Sequence, residues 1–137
     1  MVAMNRQEIN AFLDREFPQI HTNGRVYDVE SVTPESVTLR FTPNDAHLRP
    51  GGTVSGPSMF TLADLAAYVA ILARLGPVAL AVTTNLNINF LRKPGLGDLL
   101  GVCRILKLGK RLCVVNVDIL DPDGTLVAHA TSTYSIP

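Results

Sequence analysis

The chain has 137 residues, a length that predicts one domain able to bury about two thirds of its unfolded surface. Lys plus Arg equals Asp plus Glu at 12 each, so no global field draws the protein to nucleic acid or to an anionic membrane. Hydrophobic residues at 47% against 18% charged are apolar for a lone monomer, which predicts that part of the surface is covered by another subunit.

Asn5-Arg6-Gln7-Glu8 has the spacing of a helix cap with a reciprocal Glu, and Ile9, Phe12, Leu13 and Phe17 continue it as a helical stripe that Pro18 ends. Residues 26–32 and 36–41 alternate as strands around a Thr33-Pro34-Glu35 turn. Residues 42–54 form a loop rich in Pro and Gly. Gly56 to Ala73 then reads as a helix apolar on nearly every face, terminated by Gly76-Pro77. Its one charged side chain is Asp64. A buried carboxylate without a partner costs several kcal/mol, so a carboxylate at this place points to chemistry; the alternative is a structural pairing with Arg49, Arg74 or a backbone amide. Asp64 and Arg74 also interrupt the stretch too soon for a membrane span.

The second half reads as antiparallel sheet. Across residues 78–91, Leu80, Val82, Leu86, Ile88 and Phe90 fall on one face and Thr83, Asn85, Asn87 and Asn89 on the other. Strands follow over 99–108, 111–120 and 125–136, joined by turns at Gly109-Lys110 and at Asp121-Pro122-Asp123-Gly124. A hairpin at Gly109-Lys110 pairs Leu108 with Arg111, Cys113 with Leu106 and Cys103 with Asn116, which leaves the two cysteines too far apart to bridge. Two free thiols and the lack of a basic segment leading into an apolar run at the start predict a cytoplasmic protein without an export signal. One long helix against about six antiparallel strands is an α+β layered fold in a single domain over 1–137.

The start of the long helix is the second informative feature. Ser55 or Gly56 can cap it, Pro57 suits the first helical position, and the backbone N–H groups there have no partners inside the helix. Such donors, aided by the helix dipole, suit a developing oxyanion, and Gly56 allows close approach. Eight residues at about 1.5 Å each put the Gly56 amide about 12 Å from Asp64 along the axis, so one carbonyl cannot touch both in one chain. Two antiparallel copies of the helix about a two-fold axis could bring Gly56 of one beside Asp64 of the other, giving two composite sites per dimer. His21, His47 and His129 show no ligand spacing, so neither metal nor cofactor is expected, and Ser58 lacks the Gly-x-Ser-x-Gly setting of a serine nucleophile.

Residues 52–66, with Asn87-Ile88-Asn89-Phe90-Leu91-Arg92-Lys93-Pro94, Gly97-Asp98-Leu99 and Gly124-Thr125-Leu126-Val127-Ala128, resemble the PaaI-like hotdog-fold acyl-CoA thioesterases. The family's His-Gly-Gly at the helix start is followed by an acidic residue eight positions after its first Gly, and Gly56 and Asp64 keep that spacing. The resemblance implies a hotdog fold, a long central helix wrapped by the sheet with a short helix before it. It also implies a homodimer, or a tetramer made of two dimers, that hydrolyses acyl-CoA. Asp64 would be general base or nucleophile, the partner chain's Gly56 amide the oxyanion donor, and Thr83 a hydroxyl that orients water. The nucleotide end of CoA would lie along Arg92-Lys93 and the turn Leu108-Gly109-Lys110-Arg111, the densest basic clusters in the chain. The family His falls on Ser55, which can cap the helix or bond a carbonyl; its second Gly falls on Pro57, which removes a donor. An upstream Asn falls on Arg49, which narrows the acyl pocket or pairs with a carboxylate. The alternative that these departures raise is a non-catalytic acyl-CoA binding hotdog protein.

Overall fold

The computed structural model describes residues 2–137. Helix α1 spans Arg6–Glu16, and both halves of its capping box form: Asn5 N–H donates to Glu8 Oε1 and Glu8 N–H to Asn5 Oδ1, each at 2.9 Å. Ile9, Phe12 and Leu13 are buried as the stripe requires, while Phe17 closes the helix and stays exposed. A 3₁₀ turn over Pro18–Ile20 leads to β1 (Tyr27–Val32) and β2 (Val37–Phe41), and a second 3₁₀ turn, Asp45–His47, precedes helix α2 (Gly56–Leu75). Strands β3 (Val82–Phe90), β4 (Leu99–Leu108), β5 (Leu112–Leu120) and β6 (Leu126–Ser135) complete one antiparallel sheet in the order β1-β2-β4-β5-β6-β3.

The sheet curls round α2, which packs chiefly on β4, β2 and β5. Close approach is possible because Gly101 on β4 has no side chain: a Cβ there would meet Leu62 Cδ1 at 3.2 Å and Ala66 Cβ at 3.3 Å. By length and hydropathy α2 could cross a membrane, yet most of it is the core of this fold. Gly76, at φ 97°, ends it as expected.

The helix departs from the sequence reading in one respect. From Leu65 to Ala73 it is buried all round, but its first half keeps an open stripe made by Pro57, Phe60 and Thr61, with Asp64 half-buried at its end. These positions recur every three or four residues, so they share one face.

Two β-bulges displace other expectations. The β4–β5 hairpin closes on a loop longer than a Gly109-Lys110 turn, which sets Cys113 opposite Leu108, and a one-residue register shift between Ile105 and Lys107 then sets Cys103 opposite Val117. Both cysteines are buried and free. Between Thr83 and Asn85 the β3–β6 register shifts in the same way. Alternation alone sets Thr83 beside Asn85, Asn87 and Asn89, and Val82 beside Leu86 and Ile88. The extra residue, Thr84, turns Thr83 to the inner face and Val82 to the outer one, where Val82 is 57% exposed. Residues 78–81 are a turn, not strand, and Leu80 is 78% exposed there.

Candidate active site

Helix α2 begins in a tight set of polar contacts. Ser55 is the N-cap: its Oγ accepts from Ser58 N–H at 3.3 Å and donates to Ser58 Oγ at 2.9 Å. Ser58 Oγ in turn donates to His47 O (3.4 Å), and Ser55 N–H donates to the same carbonyl (2.8 Å). The Ser55 hydroxyl is thus engaged in capping. Gly56 takes the first helical position and Pro57 the second, so Pro57 sits one place later than the sequence reading had it. The Gly56 N–H meets no acceptor among the described residues, as expected of a first-turn amide. A Cβ on Gly56 would lie 3.3 Å from Phe90 Cζ, so the ring occupies the space a side chain would need.

Two grooves flank the helix start. One, of about 450 Å³, holds Gly56 together with Arg49, Phe90, Arg92 and Lys93. The other, of about 910 Å³, runs along the face formed by Pro57, Ser58, Thr61, Asp64, Leu65 and Tyr68. Its far walls are Phe17 and Tyr27 on one side and residues 79–83 with Tyr134 on the other. His47 stands at one end, edge-on to Phe41 with ring centroids 4.8 Å apart. Burial lowers the pKa of its imidazole, and Nδ1 accepts from Asn44 N–H at 3.0 Å.

Asp64 is held by hydroxyls. Thr83 Oγ1 donates to its Oδ1 at 2.6 Å, and Tyr134 OH lies 2.8 Å from the same oxygen and 2.9 Å from the Asp64 main-chain oxygen. Burial, then the neighbouring Asp64 charge, pushes the Tyr134 phenol far above its ordinary range, so it is a proton donor throughout neutral pH. The structural pairings considered for Asp64 do not form among the described residues. Arg49 is in the other groove, and Arg74 reaches Pro34 O at 3.5 Å. Oδ2 receives no bond from a described residue.

The candidate residues thus separate into three places. Asp64 and Thr83 meet in the larger groove; Gly56, Arg49, Arg92 and Lys93 share the smaller one. The turn of Leu108, Gly109, Lys110 and Arg111 lines neither groove. It is closed by Gly109 N–H to Leu112 O (2.8 Å) and Ile136 N–H to Arg111 O (2.7 Å). Arg74 near the end of α2 shares a cleft with Cys103 and Ile105, on the half of β4 that leads into this turn, whereas Arg92 and Lys93 lie by the start of the helix. Tyr134 was not among the sequence candidates. The available signal was period two along β6, where Ala128, Ala130, Ser132 and Tyr134 all face the helix side and three small residues precede one large phenol.

The family model of the thioesterase superfamily matches residues 51–128, more than half of the chain and the segment that carries both Gly56 and Asp64. The chain belongs to the thioesterase superfamily. Within it, a crystal structure from Silicibacter sp. TM1040, assigned as a thioesterase, is 44% identical with a TM-score of 0.90, covering 100% of this chain and 94% of that one. A protein of Saccharolobus solfataricus assigned as an esterase is 34% identical over 98 residues, 72% of this chain and 65% of its own length. A point mutant of the phenylacetic acid degradation protein PaaI from Thermus thermophilus shares the fold at a TM-score of 0.71 and 22% identity, covering 93% and 99% of the two chains. The chain has the hotdog fold of this superfamily, which it shares with the PaaI structure, and the thioesterase resemblance read in residues 52–66 is borne out.

Proposed function

We infer that this thioesterase-superfamily protein hydrolyses acyl-CoA thioesters in the cytoplasm, at sites shared between two protomers. The observation that carries the reading is the Asp64 carboxylate, which opens on a groove lined by no Lys or Arg among the described residues and has one oxygen that receives no bond from them. Its Oδ2 takes a proton from water as the water oxygen adds to the thioester carbonyl, or attacks that carbon itself. Either way the carbonyl oxygen becomes an anion that needs a preorganised donor, and a Gly56 N–H supplies it; in the direct-attack route the acyl–Asp64 anhydride left after the thiolate departs is opened by water, which releases the free acid and restores the carboxylate. The C–S bond then breaks, and the CoA thiolate leaves and takes up a proton.

The donor comes from the partner. Within a chain Gly56 and Asp64 are about 12 Å apart along the axis and open on different grooves. The open stripe of Pro57, Phe60 and Thr61 leaves apolar surface without an intrachain partner, Phe60 being 41% exposed. Strand β3 is a sheet edge nine residues long with Val82 and Phe90 exposed at its two ends, a template for pairing with a second copy. A two-fold axis at that edge sets the helix starts antiparallel and lays the smaller groove of one protomer against the larger groove of the other. Arg92, Lys93 and Arg49 then flank the thioester as counter-charges for CoA phosphates, and the turn of Leu108 to Arg111 serves as a second cationic contact.

The capping role of Ser55 and the missing N–H of Pro57 favour a second reading, a non-catalytic acyl-CoA binder. One experiment separates them: a panel of acyl-CoA esters assayed with a thiol reagent, Asp64→Asn serving as control. Thiol release abolished in the variant supports hydrolysis. Thermal stabilisation by the esters with no thiol release from the wild-type protein supports the binder.

A further inference from the structure

We propose that Tyr134 is a positioning residue for Asp64: its phenol and the Thr83 hydroxyl clamp one carboxylate oxygen and so present the other to the substrate. The inference rests on the reading of Asp64 as the reactive group and adds to it a residue 70 positions away, on the last strand.

Three observations carry it. First, the two donors converge on one atom, Thr83 Oγ1 at 2.6 Å and Tyr134 OH at 2.8 Å from Asp64 Oδ1. A carboxylate held at one oxygen by two charge-assisted bonds loses rotation about its last torsion, and its other oxygen keeps a fixed direction. Second, the convergence depends on a local irregularity. Thr83 lies opposite Tyr134 in the β3–β6 ladder, and the bulge at Thr84 turns Thr83 to the inner face beside it, while Asn85, Asn87 and Asn89 keep the outer face. Bulges that re-aim a side chain recur next to active sites. Third, Tyr134 is 3% exposed and braced by the Tyr68 ring at 6.4 Å, with the Tyr68 hydroxyl itself tied to Ala79 O at 3.0 Å. The clamp is therefore built on packed aromatic side chains.

The phenol has one hydrogen and two acceptors, Asp64 Oδ1 and the Asp64 main-chain oxygen at 2.9 Å. While Asp64 is ionised, the carboxylate is the stronger acceptor. When Oδ2 takes up a proton or bonds to carbon, the same hydroxyl can turn to the main-chain oxygen, so no buried donor is orphaned at either stage. A tyrosine serving packing alone would need only the main-chain acceptor, and nothing would bring a second hydroxyl to the carboxylate oxygen it touches.

The test is Tyr134→Phe, which removes the oxygen and keeps the ring. We expect kcat for acyl-CoA hydrolysis to fall roughly ten- to a hundredfold, as for the loss of a bond to a charged group, with KM unchanged within about twofold. The decisive measurement repeats the substitution in the Asp64→Asn background under single-turnover conditions with excess enzyme, where Tyr134→Phe should cause no further loss. Wild-type kcat in Tyr134→Phe, or an equal fold-loss in both backgrounds, overturns the proposal. Should Tyr134→Phe fail to fold, Thr83→Val, on an exposed strand, tests the same clamp in the same pair of backgrounds. Full activity of Asp64→Asn alone would overturn the reading of Asp64, an outcome distinct from failure of the clamp.

Discussion

From Leu65 to Ala73 every residue of α2 is buried, whereas between Gly56 and Asp64 the helix keeps Pro57, Phe60 and Thr61 open to solvent. Both halves are apolar in sequence, yet only the second finds all its partners within the chain. Strands β4, β2 and β5 pack on the helix, and Gly101 lets the sheet close on Leu62 and Ala66, which flank Asp64 in sequence. The first half reaches past that cover toward the free edge of β3, and every group with chemical potential lies along it: the unpartnered Gly56 N–H, the capped start and the clamped carboxylate. On the function proposed above, stability and chemistry fall on successive stretches of one helix, and the open stretch takes a second copy as its partner.

Substitutions in the two halves should therefore fail in different ways. The largest effect is expected at Asp64: Asp64→Asn keeps an acceptor for Thr83 and Tyr134 and should melt near the wild-type temperature. Its steady-state thiol release should fall about 10²- to 10⁴-fold, the usual range for a general base. Wild-type turnover would remove the chemical half of the comparison. Leu72→Ala, in the covered half, should show the converse. Loss of a fully buried leucine costs about 2–5 kcal/mol in denaturant unfolding, while the protein that remains folded keeps its specific activity. Phe60→Glu should change the monomer's own stability least, since Phe60 is 41% exposed within the chain. A charge on the open stripe should instead shift the protein to monomers in sedimentation analysis and reduce activity with them. A stable active monomer would show that the stripe has no partner.

Much of this arrangement was legible in the sequence. The capping box of Asn5 and Glu8, the helix between Ser55 and Gly76, and the four strands after it follow from local periodicity and turn residues, although β3 begins at Val82 rather than at residue 78. The segment that holds Gly56 and Asp64 at their eight-residue spacing likewise carried the family. Two features were not legible, for one reason. A bulge is a single inserted residue, and neither Thr84 nor Leu106 carries a Gly or Pro to mark it, so alternation read through both and reversed the face of Thr83. Tyr134 was hidden by distance: its contact with Asp64 exists only after β3 pairs with β6 and the register shift has been counted. Local pattern reveals elements, but which hydroxyl meets which carboxylate is set by register.

The shared site can be tested by complementation. Gly56→Pro deletes the amide donor at a helix position that tolerates proline, although the Phe90 ring must give by a few tenths of an ångström; Asp64→Asn deletes the acid. Each variant alone should be nearly inactive. Unfolded together in equal amounts and refolded, half of the dimers are mixed, and each mixed dimer holds one intact site made of Asp64 from one chain and Gly56 from the other. Thiol release should then recover to about a quarter of the wild-type rate. No recovery above the two parent proteins, with mixed dimers demonstrated by mass spectrometry, would contradict a site shared between protomers.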